Sequence, residues 1–309
     1  MFHHFHDEKN HLKSQGSISK DDFYRLIKFI GKKNILNANI FYENLKKNKL
    51  KSNQVCFTFD DAIKSQIEVA LPVLEDLKIK SFFFVYSSLF EGRPDNLEVF
   101  RFFRTNYFKS IDSFYDEFFK FVKHDLDKFF KLQNKNINLQ KKQQPFYSLN
   151  DIKFRVVRDL LLKKKEYEKI MFEMIKKKKF NLQENYKKLF FNQEDLKKLD
   201  SLGHIIGLHS HDHPTLIEKL SYKEQNSQYT KCQSVISKIL NKPVNNFKTM
   251  SHPCGSYNNE TLKILTDLGI ELGFKNIMEK KSKKKMKQIN NLNLEIARIN
   301  HTLIMKMLK

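Results

Sequence analysis

Four side chains in two short segments have the types and spacing of a metal-dependent hydrolytic site. Adjacent carboxylates, Asp60 and Asp61, close the run 55–61, and two histidines four residues apart, His209 and His213, lie far downstream. One carboxylate can act as a general base while the other joins two imidazoles in holding a cation. The competing interpretation of the paired aspartates is structural, because Asp is also favoured at the N-cap and in the first turn of a helix.

The ligand set Asp61, His209 and His213 offers two nitrogens and one oxygen, and it leaves positions open for water and substrate. Such a set suits a divalent metal, with zinc as the expected ion, although other first-row divalent ions also fit. Two further ionisable residues lie between the histidines. We expect His211 to point away from the metal and Asp212 to hold a ligand in place.

Alternation of strand-like and helix-like segments predicts an α/β fold in which these residues meet. Six apolar segments rich in β-forming residues are predicted strands: 55–59, 81–86, 203–208, 247–250, 270–274 and 295–299. Helical spacing of apolar residues over 63–77 and 259–268 places helices between strands. Active sites of such folds lie where parallel strands end, and Asp60 and His209 both lie at predicted strand ends.

The central part of the chain differs in character and predicts a helical insertion. Apolar residues recur at helical spacing there over 111–122, 152–162 and 167–175. The polar stretch 134–144 is expected to be a loop inside the insertion, and 275–293 a second exposed loop. The insertion is a candidate cover for the substrate groove, a stabilising appendage or a surface for a homo-oligomer, and the sequence leaves these alternatives open.

Composition excludes several classes of protein. With 309 residues, 40% of them hydrophobic, and 29 Phe, the chain can bury a large core and is not disordered. No apolar run reaches the roughly 20 residues of a transmembrane segment, and His3, His4 and His6 interrupt any secretory signal. Together with only three scattered cysteines, these features predict a cytoplasmic protein.

The formal net charge is +22. Its lysines are spread along the whole chain rather than concentrated in one patch, so we expect a solvated surface and no binding of nucleic acid. A basic surface of this kind could still attract acidic glycans or anionic lipids.

Three blocks carry a resemblance to the polysaccharide deacetylase family, which is also called the NodB-homology family or carbohydrate esterase family four. Residues 58–61, with the letters TFDD, resemble the family's T-F-D-D motif, and 209–214, HSHDHP, its H-S/T-x-x-H-P motif. The block 252–258 contains Pro253, Cys254 and Gly255 and is similar to the P-x-G loop that lines the family's substrate groove.

The resemblance implies a distorted (β/α) barrel of the NodB-homology type with a long helical insertion. Residues 1–91 are then the first part of the barrel, 92–190 the insertion, and 191–309 the second part, which carries the His-rich motif. The implied activity is hydrolysis of an N- or O-linked acetyl group on a saccharide or sugar-linked substrate, in surface polysaccharide or glycan biosynthesis.

The same resemblance implies a role for each residue of the site. Asp60 is the expected catalytic base, and Asp61, His209 and His213 are the expected metal ligands. The third block lines the groove, and the backbone N–H of Cys254 is the expected donor to the oxyanion.

Several positions depart from the family pattern. Ala62 stands where the family usually has Gly, and Ser251 where an arginine commonly tunes the base. We expect Arg298 to take that arginine's place beside the base and the oxyanion site. The late block that supplies the general acid has no clear match, and His301 is the best candidate for that acid. The alternative is a catalytically impaired protein of the deacetylase fold that binds glycan.

Overall fold

The computed structural model describes residues 1–143, 147–276 and 293–308, and these form two compact units. The first unit consists of Met1–Asp95 together with Tyr186–Lys309, and the second of Asn96–Asn185. Nearly all of the predicted loop 275–293 lies outside the described residues.

The first unit contains a parallel sheet of six strands that lie in chain order. The strands are β1 (Thr58–Asp60), β2 (Phe82–Val85), β3 (Ile205–Leu208), β4 (Thr249–Ser251), β5 (Leu272–Phe274) and β6 (Asn293–Ile296). Each overlaps one of the six predicted strands. Parallel strands in sequential order are the arrangement of a (β/α) barrel, so the predicted α/β architecture is confirmed.

The segment that precedes β1 connects the two edges of this sheet. Phe2 forms a parallel bridge with Phe59 of β1. On its other side, the Met1 nitrogen donates to the Ile299 carbonyl at 2.9 Å, and the His301 N–H donates to the Met1 carbonyl at 3.1 Å. The N-terminal segment therefore lies between β1 and the chain that follows β6.

The helices of the described residues are α1 (Lys20–Ile30), α2 (Ala38–Lys46), α3 (Leu71–Asp76), α4 (Asn96–Asn106), α5 (Ile111–Phe121), α6 (Leu126–Leu132), α7 (Asn134–Gln143), α8 (Leu149–Val156), α9 (Lys164–Lys177), α10 (Leu182–Leu189), α11 (Gln193–Ser201), α12 (Tyr222–Leu240), α13 (Asn259–Asp267) and α14 (His301–Met307). None of these helices is both long enough and apolar enough to cross a membrane.

The helix predicted over 63–77 forms as a π-helical segment, Gln66–Ala70, followed by α3. The buried Gln66 amide donates to the backbone carbonyls of Asp60, at 2.6 Å, and His3, at 2.9 Å. This side chain therefore ties the end of β1 to the N-terminal segment.

Aromatic side chains fill the core of the first unit. The rings of Phe59 and Phe83, on neighbouring strands, stack with centroids 4.6 Å apart, and both are fully buried. Phe82 of β2 lies 5.3 Å from Phe274 of β5 and 6.2 Å from Phe41 of α2. Each buried ring contributes about 1.5–3 kcal/mol of hydrophobic stabilisation, which holds the strand ends in a fixed relation.

The second unit is helical, with its own aromatic core. Phe154 of α8 lies 4.9 Å from Phe118 and 5.4 Å from Phe114, both of α5, and all three rings are fully buried. Helices α5 and α9 form where helical spacing predicts them. The stretch predicted as a helix over 152–162 is the end of α8 followed by a π-helical segment, Val157–Leu161.

The prediction of a loop over 134–144 is wrong, because α7 spans most of it. Lys and Gln are good helix formers although they are polar, and this stretch is rich in both. Its single buried apolar residue, Ile137, packs in a cluster with Ile152 and Val156 of α8. One buried apolar residue in a helix of 10 residues is too sparse to produce a visible period in the sequence.

Candidate functional site

Asp61 occupies the first position after β1, where the backbone turns through the left-handed region. Asp61 has φ 73° and Ala62 has φ 53°. Asp tolerates this conformation better than most residues, whereas Ala is strained in it and Gly is not. The turn therefore accounts for the usual Gly at the position of Ala62 in the family that the sequence resembles. It also turns the Asp61 carboxylate toward the end of β3.

His209 follows β3 directly and is almost completely buried. Its Nδ1 lies 2.8 Å from the Ser251 carbonyl oxygen. Since a carbonyl can only accept, Nδ1 carries the proton and the Nε2 atom is available as a ligand. That Nε2 lies 3.1 Å from Asp61 Oδ1.

His213, like His209, has a hydrogen-bonded Nδ1 and an Nε2 that faces Asp61. Its Nδ1 donates to Asp95 Oδ2 at 2.7 Å, and its Nε2 lies 3.4 Å from Asp61 Oδ1. The loop reaches this position through left-handed residues at Ser210, φ 64°, and at His213 itself, φ 52°. The Ser210 hydroxyl accepts the His213 backbone N–H at 3.2 Å and closes the turn.

Asp61, His209 and His213 therefore meet at one point, with one ligand atom of each within 4.8 Å of the others. Burial alone raises the pKa of Asp61, but the contact with His209 and the electrostatic interactions with His213 and His3 outweigh it, so the pKa lies below its ordinary value. The site favours an ionised carboxylate with positive charge beside it. Two oriented imidazoles and one carboxylate are a donor set that fits a divalent cation.

Asp60 is buried beside this centre and is held by Arg298. The guanidinium donates from Nη1 to Oδ1 at 2.8 Å and from Nη2 to Oδ2 at 2.7 Å. The Ser251 hydroxyl donates to Oδ2 at 3.1 Å. Burial raises the pKa of Asp60, but the charge of Arg298 outweighs it and lowers the pKa below its ordinary value.

The remaining donors of Arg298 are also used. Nε donates to the Lys275 carbonyl, Nη1 to the Thr58 hydroxyl, and Nη2 to the Ser251 hydroxyl. The arginine absent from position 251 is thus supplied from the chain after β6, and the small Ser251 leaves room for it. The structure places Arg298 on the base and gives its guanidinium no free donor among these atoms for an oxyanion.

The third block forms a 3-10 turn, Pro253–Gly255, directly after β4 and the residue His252. Cys254 is exposed and left-handed, with φ 51°, and Gly255 has φ 74°. A Cβ on Gly255 would lie 2.9 Å from the Asn276 Cβ, so the turn packs closely against the chain after β5. The role of the Cys254 N–H as the oxyanion donor stays a prediction, as does the groove-lining role of Pro253 and Gly255.

His301 does not occupy a position suited to the general acid. Its ring is buried at the start of α14, with Nε2 2.8 Å from the Gly16 carbonyl and Nδ1 3.1 Å from the Met1 carbonyl. Burial lowers its pKa to about 4, so the ring is neutral near pH 7. Both nitrogens face backbone carbonyls, and this arrangement corrects the proposed role: His301 anchors the N-terminal segment.

His3 is a residue of the site that the motifs did not reveal. Its Nε2 lies 3.7 Å from Asp61 Oδ2 and 4.0 Å from Asp60 Oδ2, and its side chain is 24% exposed. The bridge between Phe2 and Phe59 places it there, beside the end of β1. The periodicity of six N-terminal residues is too short a signal to predict that placement.

The carboxylate that contacts the Nδ1 of a candidate ligand is that of Asp95, 2.7 Å from His213 Nδ1, and not that of Asp212. The Asp212 carboxylate is exposed and accepts from Gln228 at 2.9 Å and from Arg93 at 3.3 Å. His211 points away from the ligand atoms, as expected, with its Nδ1 2.7 Å from the Ser87 hydroxyl.

A parallel sheet in chain order, with Asp61, His209 and His213 at its strand ends and Asp60 alongside, is a fold of the (β/α)-barrel type with a candidate cation site. The family model for polysaccharide deacetylase matches residues 161–273. The matched segment contains both ligand histidines and the 253–255 turn, whereas Asp60 and Asp61 lie outside it. The predicted family resemblance, a polysaccharide deacetylase-like hydrolase, is confirmed by this match.

Solved structures show the same fold. The Streptococcus pyogenes deacetylase PplD superimposes with a TM-score of 0.55 at 16% identity, over 96% of this chain and 88% of that one. IcaB from Ammonifex degensii gives 0.53 at 14% identity, over 96% and 88%. A de-N-acetylase from Aggregatibacter actinomycetemcomitans gives 0.51 at 12%, over 96% and 92%. These likenesses confirm the predicted fold class; a comparison with curated proteins found no match.

Proposed function

We propose that this chain is a metal-dependent hydrolase that removes an acetyl group, N- or O-linked, from a saccharide, in the synthesis of a surface polysaccharide or other glycan. The observation that carries the proposal is the convergence of Asp61, His209 and His213 within 4.8 Å, beside an Asp60 whose two oxygens are gripped by Arg298. The solved relatives that are named a deacetylase, in complex with acetate, and a de-N-acetylase support the choice of the acetyl group.

Asp61, His209 and His213 are the residues that would hold the metal, for which zinc is proposed. A cation bound there supplies Lewis-acid chemistry, which polarises a carbonyl and makes water more acidic. The protein side contributes the orientation: the Ser251 carbonyl and the Asp95 carboxylate each fix the Nδ1–H of one histidine, so both Nε2 atoms point to the same place.

Asp60 is the base that accepts the proton from the attacking water. Arg298 keeps the carboxylate ionised and fixed in orientation, because its two parallel hydrogen bonds engage both oxygens. Oδ1 accepts one hydrogen bond, from Arg298, and retains a lone pair for the incoming proton, whereas Oδ2 also accepts from Ser251. Because the base is already aligned, reaching the transition state needs no free energy to reorient it.

His3 is the residue placed to protonate the leaving group. As the bond from the acetyl carbon to the sugar nitrogen or oxygen breaks, that atom takes up a proton, and a partly exposed imidazole beside both aspartates can deliver it. The acetyl group leaves as acetate and the sugar as a free amine or hydroxyl.

The direct test is acetate release by the chelator-stripped protein with and without added Zn²⁺, on N-acetylated glucosamine oligomers and on an O-acetylated polysaccharide. We expect release from one of the two substrates, only with metal, and none from Asp60→Asn although that variant still binds the ion. Metal binding and oligosaccharide binding without acetate release from any substrate would overturn the enzyme and favour a glycan-binding protein of the same fold.

A further inference from the structure

Asp95 makes the shortest contact that any carboxylate outside the ligand set makes with a candidate ligand in the described part of the chain. Its Oδ2 lies 2.7 Å from His213 Nδ1. The imidazole is 3% exposed and the Asp95 carboxylate 15% exposed, so little water competes for this hydrogen bond. Asp95 lies in the loop between β2 and α4, in a segment that no motif of the sequence marks.

The two ligand histidines differ in what holds them. His209 donates its Nδ1–H to a neutral backbone carbonyl, that of Ser251, whereas His213 donates to an anionic carboxylate. An anionic acceptor orients the ring and also increases the electron density at the opposite nitrogen. His213 is therefore the ligand whose affinity for a cation depends on a second side chain.

Asp95 is itself held in place by the end of β2. Its backbone N–H donates to the Tyr86 hydroxyl at 3.0 Å, and the Tyr86 ring packs 5.5 Å from the His213 ring. Tyr86 is fully buried, immediately after β2. One aromatic residue thus contacts both members of the hydrogen-bonded pair and fixes the distance between them.

We propose that Asp95 is the positioning residue of the metal site: it fixes His213 with Nδ1 protonated and Nε2 toward Asp61, and it strengthens the hold on a divalent cation. This inference rests on the proposed function, because it requires that Asp61, His209 and His213 bind such a cation. Asp95 acts through His213 and contacts neither the cation nor the substrate.

The test is the affinity of the chelator-stripped protein for Zn²⁺, measured by competition with a chromogenic chelator, together with the visible absorption of the Co²⁺-loaded protein. Asp95→Asn keeps an acceptor but loses the charge, and Asp95→Ala loses both. We expect Zn²⁺ to bind about 10-fold more weakly in Asp95→Asn and up to about 100-fold more weakly in Asp95→Ala, with altered Co²⁺ bands.

Asp212→Asn is the matched control, because Asp212 belongs to the ligand segment itself but contacts Gln228 and Arg93. It should bind Zn²⁺ like the unchanged protein. Wild-type Zn²⁺ affinity and Co²⁺ bands in both Asp95 variants would overturn this inference but not the proposed metal site. Failure of the unchanged protein to bind either ion would overturn the proposed metal site and this inference with it. If Asp95→Ala does not fold, the nearly isosteric Asp95→Asn decides the outcome.

Discussion

Arg298 and Asp60 lie 238 positions apart in the chain and form a buried pair joined by two parallel hydrogen bonds of 2.8 and 2.7 Å. Lys cannot reproduce this two-point contact, although it keeps the charge. We expect Arg298→Lys to lower kcat/KM by about 10- to 100-fold, as expected for a misaligned general base, while bound metal is retained.

The same pair predicts a shift in the pH dependence of activity. Asp60 works as a base only when it is ionised, so activity falls as the pH drops through its pKa. Arg298 lowers that pKa against the effect of burial, and Arg298→Met should therefore move the acidic limb of the kcat/KM profile to higher pH. Arg93→Lys, at a mostly exposed arginine, is the control; an unmoved acidic limb in Arg298→Met would contradict the assignment of Asp60 as the base.

The metal content of alanine variants should distinguish the two candidate ligands of the 209–213 segment from its third histidine. His209→Ala and His213→Ala should each lose most of the bound zinc, because each removes one of three ligands. His211→Ala should retain it, since that ring contacts Ser87 and Arg93 instead. Elemental analysis of the purified proteins measures this. Full zinc content in both ligand variants would contradict the site.

The general acid can be located by comparing two histidine variants. His3→Gln should lower kcat by about 10²- to 10⁴-fold and leave zinc in place, because His3 is not among the three ligands. His301→Gln should instead lower the melting temperature and leave the basic limb of the pH profile unchanged, since the buried His301 ring lies against the Met1 and Gly16 carbonyls. The reverse pattern would return the acid to His301.

Backbone strain at Ala62 predicts a stabilising substitution. Ala62 has φ 53°, a conformation that Gly adopts without steric cost, so Ala62→Gly should raise the free energy of unfolding by about 0.5–1 kcal/mol. Ala70→Gly, in the π-helical segment Gln66–Ala70, should lower it by about 1 kcal/mol. Denaturant unfolding measures both, and the same sign for the two variants would contradict the interpretation.

Glu271, just before β5, links that strand to α2. Its carboxylate accepts from Tyr42 and Lys46 at 2.5 Å and from Lys248 at 3.0 Å. Burial raises its pKa, but hydrogen bonds from Lys46, Tyr42 and Lys248 outweigh it and lower the pKa from 4.5 to about 2.

A carboxyl whose pKa is lowered by folding stabilises the protein fully above its unfolded pKa and loses that contribution as the pH falls through the folded one. Glu271→Gln should therefore cost about 1.5–3 kcal/mol at pH 7, and the difference from the unchanged protein should vanish between pH 4.5 and pH 2. Stability curves of the two proteins over this range provide the measurement. A difference that stays constant with pH would contradict the role of the charge.

The sequence predicts those site residues that belong to local motifs. It does not predict the residues that reach the site only through tertiary packing. Asp61, His209 and His213 stand in short blocks whose letters alone suggest a cation site, and their strands are apolar enough to be recognised. Asp95 belongs to a segment that no motif marks, and the short segment 1–6 has the pattern of a first strand but does not by itself indicate that His3 enters the site. Their contact with the site depends on the hydroxyl of Tyr86 and on a single β-bridge at Phe2.

Arg298 and His301 are the two expected replacements for residues missing from the family pattern. Only Arg298 lies beside the candidate site. Each is expected in the site because a basic residue in this part of the chain can replace one missing from the family pattern. The chain after β6 lies beside β1, which brings Arg298 onto Asp60, but three residues later the chain has begun α14. His301 is then directed at the backbone of the N-terminal segment.

The order of the strands in the sheet determines when the candidate cation site can form during synthesis of the chain. Asp61 is synthesised with β1, whereas His209 and His213 emerge only after β2 and the whole helical unit have followed. A nascent chain therefore carries one of the three candidate ligands over the 148 positions from Asp61 to His209, and the site does not exist until β3 pairs with β2. A polypeptide released before residue 213 lacks part of the candidate cation site, and a cation held by all three side chains would mark the molecules in which the middle of the sheet has formed.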